Sequence, residues 1–185
     1  QIVGPGRIID TERYFVVAAN VLGGCQGSTG PASLAPDGAP WGSRFPVIST
    51  RDQVRAEALL SDLLGITTWD IVIGASLGGQ RAIEWAVTYP QRVRRLVVVA
   101  SGAQTTADQA AWTHTQIRAI QLDPAWRGGD YYAGPGPTAG LALARQIAHT
   151  TYRSPSELDE RFGRIPQNDE DPLHGGRLAV ESYLD

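Results

Sequence analysis

IVIGASLGGQRAIEW, residues 71–85, is the stretch that most limits what this chain can become. An apolar run of strand character passes into an amphipathic helix with only Gly74-Ala75-Ser76-Leu77-Gly78 between them. The same alternation extends to either side. Upstream, Arg13–Ala19 (RYFVVAA) is β-branched and aromatic without polar alternation, as expected of a strand covered on both faces. Thr50 opens T-R-D-Q as a helix cap, apolar residues follow at Val54, Ala58, Leu59, Leu63 and Leu64, and Gly65 is a stop. Trp69–Ile73 reads as a second strand, Gly78–Thr88 as a helix halted near Pro90, and Arg95–Ala100 (RLVVVA) as a third strand. Strand, helix, strand, helix, strand predicts an α/β core with a parallel sheet and right-handed crossovers.

Between the first strand and the first helix, Gly23–Pro46 is a long Gly/Pro/Ser loop with no period. After Ser101 the pattern changes to helical segments around Asp108–Leu122, Thr138–Tyr152 and Pro155–Phe162. The expected organisation is therefore a core portion at residues 1–103 that carries the glycine-serine turn, and a helical cap at 104–185.

The turn itself fits G-x-S-x-G. A serine on a strained bend between strand and helix projects its hydroxyl, and the glycines give such a bend room. Ser76 is thus the candidate nucleophile, with the backbone N–H of Leu77 as one donor of an oxyanion hole. The plainer alternative is a serine that merely caps the next helix. Glycine loops before helices also bind phosphate, but all sixteen basic residues are arginine, so a Walker-type lysine is excluded, including at GGCQGSTG (Gly23–Gly30).

A serine nucleophile needs a histidine base oriented by a carboxylate. In α/β-hydrolases the order along the chain is Ser, then Asp or Glu, then His. After Ser76 there are His114, His149 and His174 but only one further strand, and all three lie in the cap region. His174, with Asp169–Asp171 before it, fits that order better than the other two, although no strand precedes either the acids or the histidine.

Composition removes other classes. Net charge is -3 and the arginines are scattered, so no basic stripe is available for nucleic acid. No apolar run approaches the roughly twenty residues that cross a bilayer. The single cysteine, Cys25, cannot form an internal disulfide, no Cys/His cluster has metal-ligand spacing, and a reducing cytoplasm fits. Cys25, Trp85, Trp112 and His114 read as structural residues. The chain has no methionine, so it reads as processed, trimmed or part of something longer.

Four segments then carry a resemblance. NVLGGCQGSTGPAS (Asn20–Ser33), WGSRFPVIS (Trp41–Ser49), GASLGG with AIEWAVTYP (Gly74–Gly79 and Ala82–Pro90) and GLALARQIAHTTY (Gly140–Tyr152) together resemble the homoserine O-acetyltransferases. That family implies an α/β-hydrolase fold, here with a truncated sheet, and a ping-pong reaction in methionine biosynthesis. Ser76 would take acetyl from acetyl-CoA, a co-substrate rather than a bound cofactor, and pass it to the hydroxyl of L-homoserine. The resemblance further implies a homodimer formed through the helical cap. It also implies that this sequence is the middle of such an enzyme, with the catalytic Asp and His beyond Asp185. Gln80 and Arg81 stand where the family commonly has Met and Gln.

The family's substrate-binding Arg and Tyr fall on Arg145 and Tyr152. Seven residues is about two helical turns, so both share one face of their helix with His149. An arginine fork suits a carboxylate, and a tyrosine hydroxyl can complete its recognition. Related activities stay open at this point: a succinyl donor, a serine acceptor, a serine esterase in which water accepts the acyl group, or a non-catalytic fragment.

Overall fold

A computed structural model describes residues 2–185. The chain divides into two compact units, Gln1–Ala103 and Gln104–Asp185.

In the first unit, two parallel strands, β1 (Val72–Ala75) and β2 (Leu96–Val99), pair in the register Val72 opposite Leu96 to Ala75 opposite Val99. A bridge from Trp69 to Val93 extends the pairing at one end. Helix α1 (Thr50–Leu63) precedes β1, and α2 (Leu77–Thr88) crosses over from β1 to β2. The start of α1 lies one residue earlier than T-R-D-Q implied. Ser49 is the cap, accepting from the Asp52 N–H, while the Asp52 carboxylate accepts from the Ser49 N–H. Thr50 becomes the first helical residue because the serine in front of it closes the reciprocal box with Asp52.

Val54, Ala58 and Trp85 form the buried centre of this unit, with Trp69, Val72, Tyr89 and Val93 packed around them. The Glu57 carboxylate ties α1 to α2 across this centre. It accepts from Trp85 Nε1 at 2.7 Å and pairs with Arg81, whose side chain and that of Glu57 are each only 19% exposed. Arg81 therefore has an opposite charge to meet, which is the condition for placing a guanidinium among apolar neighbours. Desolvation pulls the Arg81 guanidinium below the ordinary arginine range.

Helix α2 covers the sheet face that carries Val72, Gly74 and Val98, and α1 packs on α2. Ile73, Ala75, Val97 and Val99 lie on the other face, and Ile73 is 46% exposed. The expectation of strands covered on both faces is thus corrected, because the apolar run is buried only where a helix lies over it. Arg13–Ala19 is corrected more fully. RYFVVAA runs without any ladder, Phe15 is 74% exposed, and the N–H groups of Arg13 and Tyr14 turn back to the Asp10 carbonyl. β-rich composition alone does not make a strand; a neighbouring strand must take its hydrogen bonds.

In the second unit, α3 (Ala107–Leu122), α4 (Thr138–Thr151), α5 (Pro155–Phe162) and a short α6 (Ala179–Leu184) are joined by loops and 3₁₀ turns. Helices α3 and α4 meet on small residues. A β-carbon on Gly140 would lie 2.7 Å from the Ala119 carbonyl oxygen, and Ala119, Ala144 and Ala148 are buried. Pro137 gives α4 no side-chain cap, so Asp123 supplies one from the end of α3, accepting from the N–H groups of Gly140 and Ala125 at 2.9 Å each. Those backbone donors hold the Asp123 carboxyl below its ordinary 3.8.

Two outcomes follow. Trp85→Ala should lower unfolding free energy by about 3–5 kcal/mol in urea titration, since it empties the centre and removes one of the two partners of the Glu57 carboxylate. A carboxyl whose pKa is depressed on folding stabilises above its ordinary value, and that contribution is lost as pH falls through the folded value. Asp123→Asn should therefore flatten the decline of the urea midpoint between about pH 5 and about pH 2.

Candidate active site at the strand-to-helix turn

Strand β1 pairs right up to the serine. The Ser76 N–H donates to the Val99 carbonyl at 3.0 Å, and α2 begins at the next residue, Leu77. With no loop residue available, Ser76 takes the whole change of direction at φ 52°, ψ -124°. That conformation is sparsely populated for a side-chain-bearing residue and costs about 1–3 kcal/mol.

The two glycines of the motif do different things. A β-carbon on Gly74 would sit 2.0 Å from the carbonyl oxygen of Gly78 and 2.7 Å from the nitrogen of Gly79, both backbone atoms. Around Gly78 there is open space. Gly79, outside the five-residue motif, is the second position where side-chain volume is excluded, because a β-carbon there would meet Ser101 Cβ at 2.5 Å.

Ser76 is exposed, and its side chain makes no capping hydrogen bond to α2. The plainer alternative of a helix-capping serine is therefore not what the geometry shows. The Leu77 N–H heads α2, where the helix has no carbonyl for it. An exposed hydroxyl beside such an N–H can attack a carbonyl carbon while the helix terminus offsets the developing oxyanion.

At the end of β2, Ala100 adopts φ 48° and delivers Ser101 behind Gly79, where the Ser101 hydroxyl is buried without a partner among the described residues. Sequence reasoning passed over both. An alanine with positive φ leaves no trace in the letters VVVAS, and only the packing of β2 against the turn reveals it.

Within the second unit, Arg145 and His149 lie one turn apart on α4, with Arg145 Nη2 3.4 Å from His149 Nε2. Tyr152 is the C-cap residue of α4 and is 77% exposed. His174 ends a 3₁₀ turn, and its Nδ1 is 2.6 Å from Asp171 Oδ2, which holds the Asp171 carboxyl below its ordinary 3.8. Among the described residues it is the histidine with a carboxylate on a ring nitrogen. All three belong to the second unit, whereas Ser76 belongs to the first. No group of three or more His, Cys, Asp or Glu residues converges to hold a metal among the described residues, and none of the described helices is long and apolar enough to cross a membrane. Cys25 is an exposed free thiol.

A family model for the alpha/beta hydrolase fold matches residues 8–181, and the chain belongs to that family. Its relatives narrow the likeness. It is 63% identical over its whole length to a homoserine O-acetyltransferase of Thermobifida fusca (strain YX), and 57% identical to that of Mycolicibacterium smegmatis. The chain spans 49% of the length of each of these relatives. Among solved structures, 99% of the chain superposes on a homoserine O-acetyltransferase from Bacillus anthracis with a TM-score of 0.89 at 30% identity, covering 51% of that chain. All of the chain superposes on an acetylester hydrolase from Corynebacterium glutamicum with a TM-score of 0.81 at 27% identity, covering 51% of that one.

The unequal glycines give a direct check. Gly74→Ala should destabilise the protein by about 3 kcal/mol in urea titration, because backbone atoms must move. Gly78→Ala should stay within about 0.5 kcal/mol of the parent.

Proposed function

We propose that the chain carries the acyl-accepting part of a homoserine O-acetyltransferase. The observation that bears most weight is the 57–63% identity to enzymes of that name over its full length. The turn geometry is consistent with it. In the proposed reaction the Ser76 hydroxyl attacks the thioester carbonyl of acetyl-CoA, and the Leu77 N–H helps to hold the oxyanion. The carbon–sulfur bond breaks, and coenzyme A leaves as the thiol with the proton that Ser76 gives up. The hydroxyl of L-homoserine then attacks the acetyl-serine ester, O-acetyl-L-homoserine departs, and its proton returns to Ser76. Arg145 and Tyr152 are the proposed partners of the amino acid's carboxylate, by guanidinium fork and hydroxyl. A cytoplasmic enzyme that dimerises through the helical segment 104–185 is part of the same reading.

One observation favours a second reading, an ester hydrolase. The structural likeness to the Corynebacterium acetylester hydrolase is nearly as high as that to the transferase, and the serine turn serves either reaction. The acceptor separates the two, since a hydrolase has no use for an amino acid.

Intact mass after incubation with acetyl-CoA tests both readings. The expected result is one acetyl adduct that is absent from Ser76→Ala and is discharged by L-homoserine faster than by water. Discharge at the same rate with and without homoserine would favour the hydrolase, and no adduct on folded protein would mark the chain as lacking the base that Ser76 needs. His174→Ala is the first base variant to measure, because its Nδ1 already meets Asp171. If His174 is the base, adduct formation should fall at least about a hundredfold.

A further inference from the structure

Helix α4 buries Gly140, Ala144 and Ala148 and presents Arg145, His149 and Tyr152 on neighbouring faces. Arginine has no acceptor, so in the 3.4 Å contact the guanidinium must donate and His149 Nε2 must be the unprotonated ring nitrogen. The ring proton is then on Nδ1, which is buried without a partner among the described residues. A phenylalanine would fill the same space with no polar atom left over, so the histidine is not serving its own packing. What its polarity achieves is the contact to Arg145.

The ring is held from behind. Tyr183 of α6 packs on His149 with centroids 5.5 Å apart. Tyr183 is in turn flanked by Phe162 at 5.0 Å and by the Arg161 guanidinium at 5.1 Å, and it accepts a hydrogen bond from Arg153. A long, exposed arginine on a helix samples many rotamers, and a planar fork recognises a carboxylate in only one arrangement.

We infer that His149, backed by Tyr183, is the positioning residue that holds the Arg145 guanidinium ready for a substrate carboxylate. This rests on the proposed reading of Arg145 as a carboxylate partner and adds the device that aims it.

Equilibrium binding by calorimetry tests the inference with two ligands: L-homoserine, and the three-carbon amino alcohol that has the same hydroxyl and amine without the carboxylate. His149→Phe keeps a ring against Tyr183 and removes the acceptor. It should weaken homoserine binding about tenfold, the equivalent of one hydrogen bond to a charged group, and leave the amino alcohol unaffected. His149→Gln, whose side-chain oxygen can stand near the place of Nε2, should recover most of the loss. Homoserine binding by His149→Phe at the parent's affinity, or equal weakening of both ligands, overturns the inference. A parent protein that does not prefer homoserine to the amino alcohol overturns the carboxylate-binding reading beneath it, a different result from a preference that survives His149→Phe.

Discussion

Gly74 lies under the carbonyl of Gly78 with no space for a β-carbon, and the rest of the first unit is arranged around that approach. Because the backbone of β1 comes so close to the first turn of α2, the reversal between them is completed in one residue. Ser76 bears the strain of it and keeps its ladder bond to Val99. The bend leaves the serine side chain exposed and the helix N-terminus directly beside it. A looser turn would relieve the backbone and lose the geometry, so the strain must be borne by contacts elsewhere.

Those contacts lie on the far side of α2. Trp85 and Arg81 both engage Glu57 of α1, which fixes the rotation and depth of α2 on the sheet and hence the direction of its N-terminus. Arg81 stands where the resembled family commonly has another residue, and its charge is accommodated because Glu57 faces it. Gly79 against Ser101 completes the support from β2. Three different interactions, a buried aromatic, a paired charge and a glycine contact, thus converge on one short helix.

The second unit uses other means to comparable effect. Small residues bring α3 and α4 into backbone contact, and Asp123 caps the helix that Pro137 leaves uncapped. That fixes the helix on which Arg145, His149 and Tyr152 stand. The proposed acceptor recognition therefore depends on a glycine and an aspartate that make no contribution of their own to chemistry.

The sequence by itself determined the local pieces: the serine turn, both helices beside it, the α5 limits at Pro155 and Phe162, and the placing of Arg145 and His149 one turn apart on one helix. These are set by short-range rules of capping, periodicity and glycine placement, which act between residues a few positions apart. Only the tertiary structure decided that RYFVVAA pairs with nothing, that the strands are covered on one face, that Gly74 rather than Gly78 is the indispensable glycine, and that Ala100 bends to set Ser101 beneath Gly79. Each of these depends on which distant backbone or side chain comes within contact distance, and no local pattern encodes that distance.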